Sequence, residues 1–287
     1  MDGRRVSEWR LLDMGASGAA YNMAVDAVLL GQQGRGSPPT LRVYRWSAVA
    51  VTVGYSVAVD RALDMSGCDA AGIAVTRRLT GGGVVVHDGA LTFSLAAPLP
   101  CSDLPPSADG LHRFAMKGAR RALERVGVAA DHTDGRAAPD SAGPNWCMRR
   151  AYCHDLVTDG GKVAGGADRR TRHAVLYQGY LRVRPPGRDT LQAAYPGDAQ
   201  QTRGNSASIQ EAAAAPVRED DIVAGLVAAF SDRLGPVPAS GLTSQERDAA
   251  QATADCVFAA PGWVTGPPHE RRRLRLRAED RGSGEDQ

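Results

Sequence analysis

Lysine is almost absent from this chain. Lys and Arg total 34 of 287 residues, yet only Lys117 and Lys162 are lysines. Arginine stands nearly everywhere a cation is needed, so a retained lysine points to work that a guanidinium cannot do. Lysine is a compact point charge whose pKa responds to burial, and arginine is neither. Lys117 falls within a helix-like stretch and reads as a solvated cation. Lys162 falls in Gly160-Gly161-Lys162-Val163-Ala164-Gly165-Gly166 and is the better candidate for chemistry. Cysteine offers the complementary group. Cys68, Cys101, Cys147, Cys153 and Cys256 are an odd set without framework spacing, so they read as thiols in a reducing compartment. Little of a thiol with pKa near ~8.5 ionises at neutral pH, and a nearby ammonium favours the nucleophilic thiolate. Spacing alone leaves open which of the five, if any, is reactive.

The second chemical feature is the stretch Thr76–Ser94, TRRLTGGGVVVHDGALTFS. Gly81, Gly82 and Gly83 follow a strand-like segment, where the missing Cβ gives the backbone access to left-handed geometry. Three adjacent amides can then face an anion or a carbonyl oxygen. Arg77 and Arg78 precede them and can supply charge, while His87 and Asp88 follow and can orient polar groups. The triplet is neither the phosphate loop nor the dinucleotide motif. By itself it is equally compatible with a glycine-rich turn that binds nothing.

These residues need elements to hold them. Residues 18–32 have apolar positions at helical spacing. LRVYRW (41–46) and AVAVTVGY (48–55) read as two strands joined by a short turn, and 72–79 as a third strand running into the glycine loop. Residues 84–99 read as two strands about a turn at Gly89. Residues 107–127 form a helix pattern with Ser107 or Asp109 as cap and Gly127 as stop. Residues 131–144 are turn-rich and polar. Residues 154–170 read as strand, tight turn at 159–161, strand; 174–184 is a further strand; 219–235 and 244–258 are helices. Antiparallel pairs with intervening helices predict one α+β domain with a mixed sheet. The charge-dense 266–287 reads as a disordered tail. A net charge of +2 gives no electrostatic case for nucleic acid or a membrane surface. No apolar run reaches the roughly 20 residues of a membrane span, and the start lacks a secretory h-region, so a cytoplasmic location is expected.

Taken together, the string Arg77-Arg78-x-Thr80-Gly81-Gly82-Gly83-x-Val85-x-His87-Asp88 followed by LTFS resembles the signature of the biotin/lipoate protein ligase superfamily. The likeness is nearest to lipoate–protein ligases and the cysteine-dependent octanoyl–lipoyl-domain transferases. LRVYRW-x(7)-Gly54-Tyr55 is similar to that family's early strands, and Asn22-Met23-Ala24-x-Asp26 to its opening helix. GGKVAGGADRR (160–170) is similar to its lysine segment, and YQGYL (177–181) to the strand that follows. The resemblance covers roughly residues 9–265. It implies an α+β fold with a mixed, largely antiparallel sheet flanked by helices, like the class II aminoacyl-tRNA synthetases and biotin/lipoate ligases. It further implies one catalytic domain over 1–265.

The resemblance also implies roles. Ligase members adenylate the acyl group with ATP and usually carry G-R-N-D ahead of the lysine strand, which is missing here. One transferase branch has C-F-x-x-P-S-x-Y-E/D-L there. Cys147 falls at that branch's nucleophile, eight residues before Asp155 and fifteen before Lys162. The implied reaction carries an octanoyl or lipoyl group from acyl carrier protein, through a thioester on Cys147 assisted by Lys162, to a lysine of a lipoyl-domain protein or the glycine-cleavage carrier, without cofactor. Residues implied to bind substrate are Arg78, Gly81, Gly82, Gly83, Val84, Val85, Val86, His87, Gly165, Gly166, Ala167 and Gly179. Amides of Gly81–Gly83 or of a Gly165–Ala167 turn could hold the oxyanion. The alternatives are an ATP- and Mg-dependent lipoate–protein ligase, with Arg78 and 83–86 on nucleotide, and a non-catalytic acyl or carrier-protein binder. The chain departs from the branch at Ala151-Tyr152 for P-S, at His154 for tyrosine, at Gly166 for serine and at Asp168 for glutamine.

Overall fold

The computed structural model describes residues 8–33, 35–134, 151–195 and 206–281. In chain order the elements are β1 (Arg10–Ser17), α1 (Ala19–Gln32), β2 (Thr40–Trp46), β3 (Ala50–Val53), α2 (Val59–Ala62), α3 (Met65–Ala70), β4 (Ala74–Arg77), β5 (Val84–His87) and β6 (Ala90–Pro98). There follow α4 (Ala108–Arg125), β7 (Asp131–His132), β8 (Leu156–Thr158), β9 (Gly161–Arg170), β10 (Ala174–Arg182), α5 (Arg188–Ala194) and α6 (Ile209–Ala212). The chain closes with α7 (Glu219–Leu234), α8 (Ser244–Thr253), a π-helical turn (Ala254–Phe258), α9 (Pro261–Val264) and α10 (Pro268–Arg281).

The strands form a seven-stranded sheet in the order β1-β2-β6-β10-β9-β8-β7 and a three-stranded sheet in the order β4-β3-β5. β1 runs parallel to β2 and β4 parallel to β3, while the other pairings are antiparallel, so the mixed, largely antiparallel α+β architecture is present. The pairing differs from the sequence expectation in one respect. β2 and β3 are not a hairpin, nor are β5 and β6: β2 pairs with β6, and β3 pairs with β5. The chain crosses between layers after Trp46 and again at Gly89, whose φ is +70 and whose added Cβ would lie 2.9 Å from the Arg184 backbone oxygen.

Alternation along the central strands builds two cores. Leu91, Phe93 and Leu95 of β6 and Val175, Tyr177 and Leu181 of β10 pack with α4 and α7. On the other face, Ala96, Leu176 and Tyr180 meet α1 and the small sheet. Helix α1 is buried continuously from Asn22 to Leu30, as a helix between two layers must be. The stretch expected as a disordered tail from 266 is instead helical over Pro268–Arg281. Leu274 is buried in the α1 core, and Arg271 donates to the Tyr55 carbonyl, so a few inward contacts outweigh the charge density. No helix among the described residues is long and apolar enough to cross a membrane.

A buried carboxylate joins these layers. Asp26 Oδ1 accepts from Arg42 Nη1 at 2.8 Å and Ser94 Oγ at 2.8 Å; Oδ2 accepts from Tyr44 Oη at 2.9 Å and Gln178 Nε2 at 2.6 Å. Arg42 also donates to the Asn22 side-chain and backbone oxygens. Burial first, and then the Asp26 charge, push the Tyr44 hydroxyl far above its ordinary range, so it remains a donor.

At the C-terminal end, Arg10 holds Glu246 through both carboxylate oxygens, and Glu246 completes a capping box with Thr243. Burial would raise the Glu246 pKa, but the Arg10 hydrogen bonds and the Thr243 amide outweigh it and hold the carboxyl below its ordinary 4.5. Two outcomes are expected. Asp26→Asn leaves the Arg42 charge buried without its counter-ion and lowers unfolding free energy by about 3–5 kcal/mol in urea titration. Because a depressed acid stabilises above its unfolded pKa and stops doing so as protons bind, Glu246→Gln flattens the loss of thermal stability that wild type shows as pH falls below about 4.5.

Candidate functional site

Lys162 lies near the start of β9, in register with Val157 of β8, immediately beyond a register shift between Leu156 and Val157. Such a bulge re-aims a side chain, and the Lys162 ammonium ends 2.6 Å from Asp155 Oδ2, with both side chains 2% exposed. The Tyr152 amide donates to the same oxygen at 2.7 Å. Burial raises the Asp155 pKa, yet the Lys162 charge, with the nearby His112 ring and hydrogen bonds from Lys162 and the Tyr152 amide, holds it below its ordinary 3.8. The tyrosine rings of Tyr152 and Tyr180 stand 5.8 Å from the ammonium. Gly165 is required by this pair. A Cβ there would lie 2.8 Å from Asp155 Oδ1, 2.8 Å from Lys162 Cε and 2.9 Å from Nζ.

Tyr180 connects the amine to an apolar cleft. It is lined by Met23, Tyr44, Trp46, Thr52, Arg78, Val85, His87, Thr92, Gln178 and Tyr180, and by the backbone at Gly166, Ala167 and Gly179. Gly165, Gly166 and Ala167 form a strand rather than a turn, in register with Tyr180, Gly179 and Gln178. β8 pairs β9 only as far as Ala164, so the outer edge of β9 beyond it has no partner strand among the described residues. That edge leaves amides able to face an oxyanion. Gly166 has a packing reason of its own, since a Cβ would lie 2.3 Å from the Tyr177 hydroxyl. Gly179 likewise lacks a side chain because the Phe93 ring occupies that place, 2.5 Å from a would-be Cβ; only its backbone edges the cleft.

The glycine loop is held from within. Arg78 donates to Thr52 O and Oγ1 and to the carbonyls of Gly81 and Gly83, at 2.8–3.1 Å. Gly54 donates to Gly83 O, and its missing Cβ leaves room for the Gly82 carbonyl, which would stand 1.9 Å from it. Thr80 ties the loop to Gln178 Oε1 at 2.7 Å. With the loop carbonyls turned inward, Gly81 and Gly82 are exposed, and Gly82 has φ +85. Val84 and Val86 are buried in the small-sheet core, leaving Val85 and His87 to line the cleft. Arg77 does not supply charge to a ligand, for it donates to the carbonyls of Gly54, Tyr55, Val57, Trp263 and Val264. His87 stacks on Trp46 with centroids 3.8 Å apart, and its Nε2 lies 2.9 Å from Thr52 Oγ1. Burial first, then Arg78 and Arg182, drive its pKa well below 6.5, so the ring is neutral.

Cys147 lies outside the described residues. Of the other thiols, Cys68 is buried, and burial followed by the Asp64 charge pushes it up to about 11; burial also raises Cys101. Neither is poised to react. Cys153 and Cys256 are exposed. Lys117 is exposed on α4. Asp155 was visible in sequence only as an acidic position, and the site includes two residues that pattern reading missed. His112 Nε2 stands 3.2 Å from Asp155 Oδ1, and His112 Nδ1 stands 2.8 Å from the Tyr177 hydroxyl. A signal existed for His112: it borders the apolar stripe of α4, with Ala115 and Met116 three and four residues on.

The family model described as the lipoyl protein ligase A/B catalytic domain matches residues 18–231. The octanoyltransferase LipM of Kyrpidia tusciae is 31% identical over 259 residues, covering 85% of this chain and 93% of the relative. The octanoyltransferase LipM of Symbiobacterium thermophilum is 30% identical over 277 residues, covering 90% and 98%. Among solved structures, a bi-partite lipoate protein ligase from Thermoplasma acidophilum, described with its E2 lipoyl domain, superposes with a TM-score of 0.74 at 23% identity, over 90% of this chain and 96% of that one. That likeness establishes the fold, while the family model and the relatives place this sequence: the chain belongs to the lipoyl protein ligase A/B catalytic-domain family.

Proposed function

We propose that the chain is an octanoyltransferase that takes an octanoyl group from acyl carrier protein onto Cys147 and passes it, with the help of Lys162, to a lysine of a lipoyl-domain protein. The observation that carries this reading is the buried Lys162–Asp155 pair beside an apolar cleft. A carboxylate 2.6 Å away stabilises the ammonium. Lys162 therefore acts as a cationic donor, able to favour a thiolate and to meet the oxyanion of the tetrahedral intermediate. The acyl tail lies along Val85, Trp46 and Tyr180, and amides at the open edge of β9 face the reacting carbonyl.

The spacing of Cys147 ahead of Asp155 and Lys162, which resembles that of the transferase branch, supports its reading as the nucleophile. Exchange of one thioester for another is nearly balanced, and aminolysis of the second to an amide is downhill, so the reaction asks for no nucleotide. Arg78 supports this over adenylation, because its fork is engaged by Thr52 and by the loop's own carbonyls. A lipoyl-domain acceptor is supported by the likeness to a lipoate protein ligase described with its E2 lipoyl domain, and the cytosol is where both carrier proteins would be met.

The test supplies octanoyl-acyl carrier protein and a lipoyl domain without ATP. The acceptor is expected to gain the mass of one octanoyl group, and a hydroxylamine-labile adduct to be trapped on Cys147 and lost in Cys147→Ser. Modification seen only with ATP and lipoate would make the chain a ligase; none under either condition would make it a binder. Lys162→Ala is expected to lower kcat by roughly 10²–10³-fold. Gly165→Ala, whose methyl group meets both members of the pair, is expected to reduce transfer by at least about tenfold while the circular dichroism spectrum stays that of wild type.

A further inference from the structure

The turn ahead of β8 brings together three donor groups that acyl transfer does not use. A carboxylate oxygen of Asp109, the Cys153 sulfur and a ring nitrogen of His154 lie within 4.8 Å of one another. His154 Nε2 stands 3.3 Å from Asp109 Oδ1. Bonds of about 2.0–2.3 Å from a tetrahedral metal put neighbouring donor atoms about 3.5 Å apart. The aspartate–histidine spacing meets that requirement as it stands, and the exposed Cys153 closes its own gap by side-chain rotation. A plain ion pair would account for Asp109 and His154 and leave the thiol beside them without a reason.

The backbone that carries two of the donors is fixed in advance. The His154 amide donates to the Thr133 carbonyl at 2.8 Å, the His154 carbonyl accepts from His132 Nδ1 at 3.0 Å, and the Asp155 amide donates to the Tyr152 carbonyl at 3.0 Å. His154 is left-handed, with φ +72. Neighbouring side chains in a strand point to opposite faces. The left-handed residue breaks that alternation, so the adjacent Cys153 and His154 present their donors together. The third donor comes from a different element, the first turn of α4, which Ser107 caps.

We infer that Asp109, Cys153 and His154 form a binding site for a borderline-soft divalent cation, zinc by its ligand chemistry, and that the bound ion ties the start of α4 to the turn before β8. One carboxylate beside a thiol and an imidazole suits zinc and not the hard, all-oxygen cations. The fourth vertex is left to water, as in zinc sites with three protein ligands. As the metal–sulfur bond forms, the thiol proton leaves to water; the imidazole binds through a neutral nitrogen and the carboxylate is already ionised. Thiolate and carboxylate then offset the two positive charges of the ion. That neutrality matters here, because the next residue, Asp155, already has its own cation in Lys162. Cys153 and His154 stand between Tyr152, whose amide donates to Asp155 Oδ2, and Asp155 itself. The ion therefore braces the turn that carries the carboxylate partner of Lys162.

Metal binding is read on the reduced full chain without acyl substrates, so its outcome does not turn on the octanoyltransferase reading. Wild type is expected to take up one Co²⁺ per chain with a thiolate-to-cobalt charge-transfer band and the visible bands of a tetrahedral ion, and Zn²⁺ is expected to displace it. Cys153→Ser is expected to lose the charge-transfer band, whereas Cys147→Ser and Cys256→Ser keep it. In competition with a chromophoric chelator, Cys153→Ser, Asp109→Asn and His154→Asn are each expected to weaken Zn²⁺ binding by at least about tenfold. Cys153 and Asp109 are exposed and asparagine tolerates left-handed backbone, so the variants are expected to keep the wild-type circular dichroism spectrum. Should His154→Asn not fold, the two exposed positions decide the matter. Zn²⁺ at about a hundredfold above its Kd is expected to raise the wild-type melting midpoint by at least about 3 °C, and Asp109→Asn to abolish the rise. A wild-type chain with no thiolate–cobalt band, a band that survives Cys153→Ser or vanishes in Cys147→Ser, or a zinc-induced rise that persists in Asp109→Asn overturns the site.

Discussion

The buried Asp26 carboxylate is the interaction on which the rest of the structure depends. Four donors from three strands converge on it, from Arg42, Tyr44, Ser94 and Gln178, and none of these residues is more than 7% exposed. A lone buried charge would be prohibitive, and replacing one member leaves the others unsatisfied. The network is therefore all-or-none, and it fixes α1 against β2, β6 and β10 at once. It also reaches the ligand-facing side: Gln178 uses its amide nitrogen on Asp26 and its oxygen on Thr80, so the glycine loop is anchored to the same carboxylate. The cleft wall and the loop above it are thereby positioned by one charge in the core.

The second pair, Lys162 and Asp155, lies toward the other end of the sheet and is organised differently. Asp26 has both oxygens committed to hydrogen-bond donors, whereas Asp155 keeps one oxygen 3.2 Å from the His112 ring. A carboxylate with every lone pair committed is suited to holding a fold together. The Lys162–Asp155 pair is joined to the cleft by Tyr180, whose ring stands 5.8 Å from the ammonium and lines the cleft.

Glycines decide how closely these parts approach. Gly54 admits the Gly82 carbonyl, Gly165 admits the ion pair and Gly166 admits the Tyr177 hydroxyl. In the 160–170 segment this means that Gly165 and Gly166 serve the packing of the Lys162–Asp155 pair and of Tyr177, whereas the exposed Gly81 and Gly82 present backbone outward.

The sequence by itself determined the family, the α+β class, and the extents of α1, α4, α7 and most strands. These are local properties: period, caps, turn residues, and motif strings read along the chain. Tertiary structure decided what local pattern cannot encode. β2 and β3 read as a hairpin because they are adjacent and strand-like, but sheet membership is set by which distant strand offers the matching ladder, β6 for one and β5 for the other. The charged end read as disordered because its composition is polar, while a single inward Leu274 and docking on α1 suffice to order it. Arg77 and Arg78 read as a charge source, yet burial turned both toward backbone carbonyls. His112 and Tyr177 are 65 residues apart and meet only because α4 crosses the face of β10, a contact between helix and sheet that no spacing along the chain reveals.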